Sequence, residues 1–234
     1  MARLTTIAFD ADDTLWQNEQ FYRLTEQRFA ALLADYADPD QLGQRLLAAN
    51  KRNIGHYGFG IKGYTLSMIE TALEVTNHQA PGTVIAEILA VGREMLTHPV
   101  ETLPYVDQTL AALQPNYRLI LITKGDLFDQ ERKLAASGLA EYFSAVEIVS
   151  DKTEAVYRRV FSQLADSAEQ TLMIGNSLKS DVLPALAAGA FGIYVPHDLT
   201  WAYEFAEEPA KDPRYARITH LGELTAAIAA FEAD

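Results

Sequence analysis

The chain has 234 residues, of which 49% are hydrophobic, so it can bury a sizeable core. Its formal net charge of −13 disfavours a nucleic-acid polymer as partner, because such binding needs clustered lysine and arginine. The absence of cysteine excludes disulfides and thiolate chemistry, and no apolar stretch approaches the roughly 20 residues of a membrane span. The N-terminus has no signal-peptide pattern, and with the absence of cysteine this leads us to expect a cytoplasmic location. We also expect no membrane partner and a monomeric or homodimeric state, about which the acidic composition says little.

Five short apolar segments are typical of buried parallel strands. They are Leu4–Phe9, Arg118–Thr123, Ala145–Val149, Thr171–Ile174 and Phe191–Val195. Helical patterns lie between most of them. Those at Asp126–Ser137 and Leu178–Ala188 are each followed by glycine, a common helix stop. The sequence therefore predicts an α/β fold, with a Rossmann-like parallel sheet covered by helices on both faces.

One long segment, residues 17–98, interrupts this alternation with helical patterns alone. The predicted helices are Glu19–Asp35, Gln41–Arg52, Tyr64–Thr76 and Thr83–Leu96. Ligands of open α/β sheets bind outside the carboxyl ends of the strands. We therefore interpret residues 17–98 as a helical cap inserted above that edge, and residues 1–16 with 99–234 as the core.

The first predicted strand ends in a cluster of acids, Asp10, Asp12 and Asp13. Two like charges about 4 Å apart repel by about 4 kcal/mol at an effective dielectric constant of about 20. A chain tolerates this repulsion where a cation or a reaction needs the charge. Asp13 also suits a turn or a helix N-cap, for which aspartate is favoured.

Further polar residues follow the later strands. They are Thr123, Lys124, Lys152, Asn176, Ser177 and Asp181. Because the carboxyl ends of parallel strands meet at one edge of a sheet, these side chains can converge with the acids. Each residue alone is weak evidence, but their order along the chain points to one site.

This ordered set resembles the haloacid dehalogenase-like (HAD) hydrolase superfamily over nearly the whole chain. The matching residues are the D-x-D-x-T motif at Asp10, Asp12 and Thr14, the strand-end hydroxyl of Thr123, Lys152, and the terminal motif GNSLKSD at 175–181. The inserted helices are similar to the C1-type cap of that superfamily. The resemblance thus implies a Rossmann-like core with a helical cap.

The resemblance also implies a Mg²⁺-dependent phosphatase of a small phosphorylated metabolite. Asp10 would be the nucleophile that forms an aspartyl-phosphate. Asp12 would be the general acid and base, and its carbonyl oxygen would bind Mg²⁺. Thr123 would hydrogen-bond a phosphoryl oxygen, and Lys152 would neutralise the phosphate and Asp10.

The candidate metal ligands are Asp10, Asp12, Asn176 and Asp181. The candidate phosphate or substrate contacts are Thr123, Lys124, Lys152 and Asn176. Most phosphatases of the superfamily have aspartate where this chain has Asn176, and the missing charge predicts weaker Mg²⁺ binding. Whether Asn176 or Asp181 binds the metal directly stays open, as does whether Lys124 touches substrate or projects into solvent.

Other functions of the same fold stay open. A 2-haloacid dehalogenase would also use Asp10, but that branch lacks the acid equivalent to Asp12 and needs no metal. A phosphonate hydrolase would need a cap lysine, for which Lys51 and Lys62 are candidates. A phosphomutase would retain its phosphorylated intermediate. A catalytically silent small-molecule-binding protein is favoured only by Asn176.

Overall fold

The computed structural model of the protein describes residues 3–209 and 211–233. The strands in these residues are β1 (Thr6–Phe9), β2 (Arg118–Lys124), β3 (Ala145–Val149), β4 (Thr171–Gly175), β5 (Phe191–Tyr194) and β6 (Tyr215–Arg217). The α-helices are α1 (Glu19–Leu32), α2 (Pro39–Tyr57), α3 (Ile61–Val75), α4 (Gly82–Thr97), α5 (Val106–Leu113), α6 (Leu127–Ser137), α7 (Glu154–Leu164), α8 (Leu183–Ala187) and α9 (Leu224–Ala233). A π-helical turn, Leu178–Val182, directly precedes α8.

The six strands form one sheet in the order β3-β2-β1-β4-β5-β6, and every neighbouring pair is parallel. Strand β1 lies between β2 and β4, with Phe9 opposite Leu121 and Ile174. The predicted α/β fold with a Rossmann-like parallel sheet is therefore confirmed. The residues that follow β1, β2 and β4 leave the sheet at the same edge.

Both faces of the sheet are covered, which explains why its strands are continuously apolar. On one face, Ile7 and Phe9 belong to a core cluster with Leu110 of α5 and Ile228 of α9. On the other face, Ala8 belongs to a cluster with residues of α7 and α8. Successive residues of β1 thus pack on opposite faces, which fixes which way each following side chain points.

The structure corrects several predicted bounds. Strand β1 begins at Thr6 rather than at Leu4, and β5 ends at Tyr194 rather than at Val195. Strand β6 was not predicted, because its two half-buried residues and one exposed arginine form no apolar run. The segment predicted as one helix from Leu178 to Ala188 is divided into the π-helical turn and α8.

The chain divides into two compact units. The sheet unit comprises Met1–Glu19, Val100–Lys124 and Gln130–Asp234. The helical unit comprises Gln20–Pro99 and Gly125–Asp129. The role of the helical unit as a cap over the sheet edge stays a prediction.

Helices α1–α4 share an apolar core of their own that includes Phe29, Leu46, Met68 and Ile88. Helix α2 begins before the predicted Gln41, because the Asp38 carboxylate accepts from the Gln41 N–H at 3.0 Å and caps an earlier start. It also continues past the predicted end at Arg52 to Tyr57, where Gly58 is the C-cap. None of the helices within the described ranges 3–209 and 211–233 is long and apolar enough to cross a membrane.

Candidate active site

The chain makes a tight turn directly after β1, and this turn fixes Asp10. The Asp10 N–H donates to the carbonyl oxygen of Ile174 at 2.9 Å, which extends the pairing of β1 with β4 by one residue. The carbonyl oxygen of Ala11 then accepts from the N–H groups of Thr14 and Leu15. The turn brings the Thr14 hydroxyl back to Asp10, where it donates to Oδ2 at 3.0 Å.

The other oxygen of Asp10 faces a buried lysine. Lys152, in the connection from β3 to α7, donates from Nζ to Asp10 Oδ1 and, at 2.7 Å, to Asp181 Oδ1. Lys152 and Asp181 each have 1% of their side chain exposed, and Asp10 has 9%. One cation thus lies between two carboxylates that come from different strand ends, and the three groups are shielded from water.

This burial changes the acid–base behaviour of the cluster. Burial by itself lowers the pKa of Lys152, but the charges of Asp10 and Asp181 outweigh it and hold that pKa above its usual value. Burial and the Asp10 carboxylate raise the pKa of Asp181 to about 7, against the opposing effect of Lys152. Lys152 is therefore a permanent cation at neutral pH.

Asp181 reaches this position because β4 ends in a glycine. A Cβ atom at Gly175 would lie 2.2 Å from Asp181 Oδ2, so a side chain at position 175 would displace the carboxylate. Asp181 Oδ2 also accepts from the Ser177 N–H at 2.9 Å. Since its Oδ1 accepts from Lys152, both oxygens of Asp181 are already bound within the protein.

Asn176 lies beside the remaining oxygen of Asp10. One terminal atom of its amide is 3.2 Å from Asp10 Oδ2 and 3.3 Å from the Asp12 carbonyl oxygen. With the amide nitrogen in that position, both contacts are hydrogen bonds. With the amide oxygen there, three oxygen atoms face one another, and such an arrangement suits a hard cation.

The oxygens around Asn176 include one carboxylate, that of Asp10. Among residues 3–209 and 211–233, no group of three or more histidine, cysteine, aspartate or glutamate side chains is placed to hold a metal ion. The set around Asn176 instead combines one carboxylate, one side-chain amide and the main-chain carbonyl of Asp12. These neutral and anionic oxygens fit Mg²⁺, which binds through few protein ligands and keeps several waters.

The carboxylate of Asp12 is held by donors that the sequence analysis did not assign to the site. Trp16 donates from Nε1 to Asp12 Oδ1, Gln130 donates to Oδ2, and Lys133 contacts both oxygens. The sequence contains a pattern that could have identified Gln130 and Lys133. Gln130 and Lys133 are polar residues on the helical face that also contains the buried Leu134.

The two polar residues at the end of β2 have separate surroundings. Thr123 is buried, and its hydroxyl oxygen accepts from Gln130 Nε2 at 2.9 Å. Lys124 forms an ion pair with Glu204 and donates to the Ser180 hydroxyl at 2.8 Å. A role of Lys124 in substrate binding stays a prediction, and Glu204 was not identified from the sequence.

Asp13 has the turn and capping role that aspartate favours at such positions. Its φ is 60°, and its carboxylate accepts from the N–H groups of Asn18 and Glu19 at the start of α1. Burial raises the pKa of Asp13 to about 6, although the hydrogen bond from Glu19 and the nearby His197 oppose this. The third acid of the cluster thus stabilises the turn that carries the other two.

The family model for the haloacid dehalogenase-like hydrolases matches residues 4–189, which include every residue of the site described so far except Glu204 and His197. The chain belongs to this family of hydrolases. The match therefore confirms the family that the sequence motifs indicated.

One relative is named a nucleotidase and another a phosphatase. A pyrimidine 5'-nucleotidase, PynA of Streptococcus pneumoniae, is 37% identical over 94 residues, which are 37% of this chain and 40% of that protein. A glyceraldehyde 3-phosphate phosphatase of Methanothermobacter thermautotrophicus is 26% identical over 212 residues, covering 85% of this chain and 88% of that one. The chain thus aligns with well under half of PynA and with most of the archaeal protein.

Solved structures show the same fold. A haloacid dehalogenase-like family hydrolase from Xanthomonas campestris is 43% identical, covers 98% of this chain and 92% of its own, and has a TM-score of 0.88. The HAD hydrolase YfnB of Bacillus subtilis, solved bound to magnesium, is 19% identical with a TM-score of 0.68, over 97% of this chain and 100% of its own. At that identity, the second likeness concerns the fold alone.

Proposed function

We propose that the chain is a Mg²⁺-dependent phosphatase that hydrolyses a small phosphomonoester through an aspartyl-phosphate at Asp10. One observation carries this proposal: Asp10 Oδ1 accepts from the buried cation of Lys152, and Asp10 Oδ2 lies 3.2 Å from the Asn176 amide, which is also 3.3 Å from the Asp12 carbonyl oxygen. The nucleotidase and phosphatase names of the two relatives support it. A carboxylate alone would repel a phosphate dianion, so attack needs positive charge on both sides of the nucleophile.

Asp10 Oδ2, the Asp12 carbonyl oxygen and the Asn176 amide would hold Mg²⁺. The contacts favour Asn176 over Asp181 as the direct ligand, because the Asn176 amide lies 3.2 Å from Asp10 Oδ2 and 3.3 Å from the Asp12 carbonyl oxygen, whereas Asp181 Oδ1 faces the Lys152 cation. When bound, the ion supplies positive charge that neutralises the phosphoryl group and orients it. Asp181 would instead act through Lys152, which it keeps protonated and in place.

The protein groups can carry out both halves of the reaction. An Asp10 oxygen attacks phosphorus, the bond from phosphorus to the substrate oxygen breaks, and Asp12, protonated by the water consumed in the preceding turnover, gives its proton to that leaving oxygen. Asp12 then takes a proton from water, the water oxygen attacks phosphorus, and the bond to Asp10 breaks. Phosphate and the original Asp10 carboxylate are the products.

Two further groups would bind the phosphoryl oxygens during these steps. The Thr123 oxygen accepts from Gln130, which leaves its hydroxyl hydrogen to donate to the phosphoryl group. Lys152 adds a cation that is already desolvated and positioned before the substrate arrives. Positioned charge of this kind lowers the barrier because little reorganisation is needed in the transition state.

The test is turnover of p-nitrophenyl phosphate by the purified protein with Mg²⁺, with and without a chelator. We expect nitrophenol release that the chelator abolishes and that Asp10→Asn lowers by more than about a thousandfold. Chloride release from a 2-chloro acid without Mg²⁺ would instead identify a dehalogenase. No turnover over a broad panel of phosphate esters would favour a silent binding protein.

The same panel of phosphate esters would identify which small phosphomonoester is the substrate. Because of the names of the two relatives, the panel should include nucleoside monophosphates and triose phosphates. Borohydride trapping in the presence of a phosphonate tests the phosphonate hydrolase, and phosphoryl transfer to a second sugar tests the phosphomutase. Cytoplasmic location and a monomeric or homodimeric state stay predictions.

A further inference from the structure

The Asp12 carboxylate is surrounded by hydrogen-bond donors from two parts of the sheet unit. Trp16 Nε1 donates to Oδ1 at 2.7 Å, from four residues further along the same turn. Lys133 Nζ lies 2.9 Å from Oδ1 and 3.1 Å from Oδ2, and Gln130 Nε2 donates to Oδ2 at 3.0 Å. The turn therefore supplies one donor, and helix α6 supplies the others.

Lys133 is withdrawn from water, with 10% of its side chain exposed. Its second contact is the Asn18 side-chain oxygen at 2.8 Å. A lysine ammonium loses hydration when buried, and this cost is offset only by close polar partners. An apolar residue at position 133 would avoid the cost, so a lysine here points to a function of its N–H donors at the two Asp12 oxygens.

Gln130 connects Asp12 to the end of β2. Its Nε2 donates to Asp12 Oδ2, to the Thr123 hydroxyl oxygen at 2.9 Å and to the Lys124 carbonyl oxygen at 3.0 Å. Gln130 and Lys133 are three residues apart on α6 and therefore lie on one helical face. A single face of α6 thus sets the position of the Asp12 carboxylate relative to Thr123.

We infer that Lys133, supported by Gln130, is a positioning residue that fixes the Asp12 carboxylate for proton transfer to the leaving group. The inference rests on the proposed function and adds a role that none of the sequence motifs contains. Lys133 acts through Asp12 rather than on substrate. Without its two contacts, the carboxylate would keep single donors from Trp16 and Gln130 and would turn more freely about its side-chain bonds.

The expected signature is a dependence on the leaving group. Nitrophenolate departs without a proton, whereas an alkoxide needs one from Asp12. The value of kcat/KM includes bond cleavage to the leaving group but not the later hydrolysis of the aspartyl-phosphate. Loss of Asp12 positioning should therefore lower kcat/KM for an alkyl phosphate much more than for p-nitrophenyl phosphate.

The experiment measures both kcat/KM values with Mg²⁺ for the wild type and for Lys133→Met, Lys133→Arg and Asp12→Asn. The alkyl substrate is the fastest alkyl phosphomonoester of the panel. We expect Lys133→Met to lower the ratio of the alkyl kcat/KM to the nitrophenyl kcat/KM by at least about tenfold, in the same direction as Asp12→Asn. Lys133→Arg should keep most of the wild-type ratio.

Arg214→Met is the control, because it removes another ion pair of the sheet unit, with Asp212. Its ratio should equal the wild-type ratio.

A second readout does not depend on activity. The chain has two tryptophans, and the Trp16 indole N–H is identified in nitrogen-15 NMR spectra by the signal that persists in Trp201→Phe. Because this N–H donates to Asp12, its resonance should move in Lys133→Met and stay in place in Arg214→Met. If Lys133→Met does not fold, Gln130→Met takes its place, with a smaller loss of the ratio expected.

The outcomes separate the two proposals. A wild type without Mg²⁺-dependent turnover contradicts the proposed function, and the positioning role with it. An active wild type in which Lys133→Met lowers both substrates equally, or neither, overturns the positioning role alone. An unchanged Trp16 resonance in Lys133→Met also overturns it.

Discussion

At the candidate active site of the sheet unit, charged side chains face one another in the interior, whereas on α2 and α3 of the helical unit they pair at the surface. Lys152 and Asp181 are each 1% exposed, and their ion pair lies among site residues. Arg52 pairs with Glu70 and Glu74 while half of its own side chain stays in water. Both arrangements join basic and acidic residues from different elements, yet their surroundings differ.

The difference in exposure between the two sets of ion pairs implies a difference in the free energy that each set costs. Surface pairs contribute about 0 to 1 kcal/mol and cost little to form. Buried pairs lose hydration, and similarly packed apolar residues are often as stable or more so. The interior charges of the sheet unit therefore point to chemistry, and the surface charges of the helical unit do not identify a substrate by themselves.

The largest effect is expected for Lys152→Met. Its loss leaves Asp10 and Asp181 facing each other without the cation, and breaking a buried pair costs about 3 to 5 kcal/mol. The free energy of unfolding from urea titrations measures this loss, and turnover should fall by more than about a hundredfold. Lys152→Met/Asp181→Asn should regain part of the stability but not the turnover. A double variant as unstable as the single one would contradict the repulsion argument.

The next effect concerns the metal. Asn176→Asp adds a negative charge beside Asp10 Oδ2 and the Asp12 carbonyl oxygen. The half-saturating Mg²⁺ concentration should therefore fall by about tenfold, equivalent to about 1.4 kcal/mol. Asn116→Asp, which adds the same charge in the exposed turn before β2, is the control and should leave it unchanged. An unchanged or higher concentration for Asn176→Asp would reject a direct metal contact at this position.

A smaller effect on the free energy of unfolding is expected for Glu204→Gln. Glu204 lies in the segment after β5 and connects that segment to the site. Glu204 pairs with Lys124 and accepts from the hydroxyls of Ser177 and Ser180. Burial raises the pKa of Glu204, but the Lys124 charge and these hydrogen bonds outweigh it and hold the pKa below its usual value. Glu204→Gln should therefore cost about 1 to 2 kcal/mol at neutral pH.

The pH dependence of that loss has a definite sign. A carboxylate whose pKa is lower in the folded state contributes stability above the unfolded value of 4.5 and loses it as the pH falls. The difference in unfolding free energy between wild type and Glu204→Gln should thus be full at pH 7 and shrink below about pH 4.5. A difference that grows with acidity would contradict this account of Glu204.

The smallest effect is expected for Arg52→Met in the helical unit. It makes the same kind of change as Lys152→Met, a cation replaced by methionine, but at an exposed pair. The free energy of unfolding should change by less than about 1 kcal/mol. High salt should reduce this small difference further, because surface charges are screened. A loss as large as that of Lys152→Met would remove the contrast between the two units.

Much of the sheet was predictable because β1 to β5 are largely apolar runs bounded by turn residues. Strands β2, β3 and β4 were located to within a residue for this reason. Strand β6 was missed because an edge strand of two half-buried residues and one exposed arginine leaves no such run. The start of α2 was predicted at Gln41 rather than at Pro39, because the apolar pattern does not include the Asp38 cap and Pro39.

By itself, the sequence determined the class of fold, the family and the candidate residues from Asp10 to Asp181, since these depend on residue types and their order along the chain. Only the tertiary structure decided the partners of those residues. Lys133 meets Asp12 across 121 positions, and Glu204 meets Lys124 across 80. Hydrogen bonds and charges act over a few ångströms of space, and sequence periodicity describes the face of an element but not what packs against it.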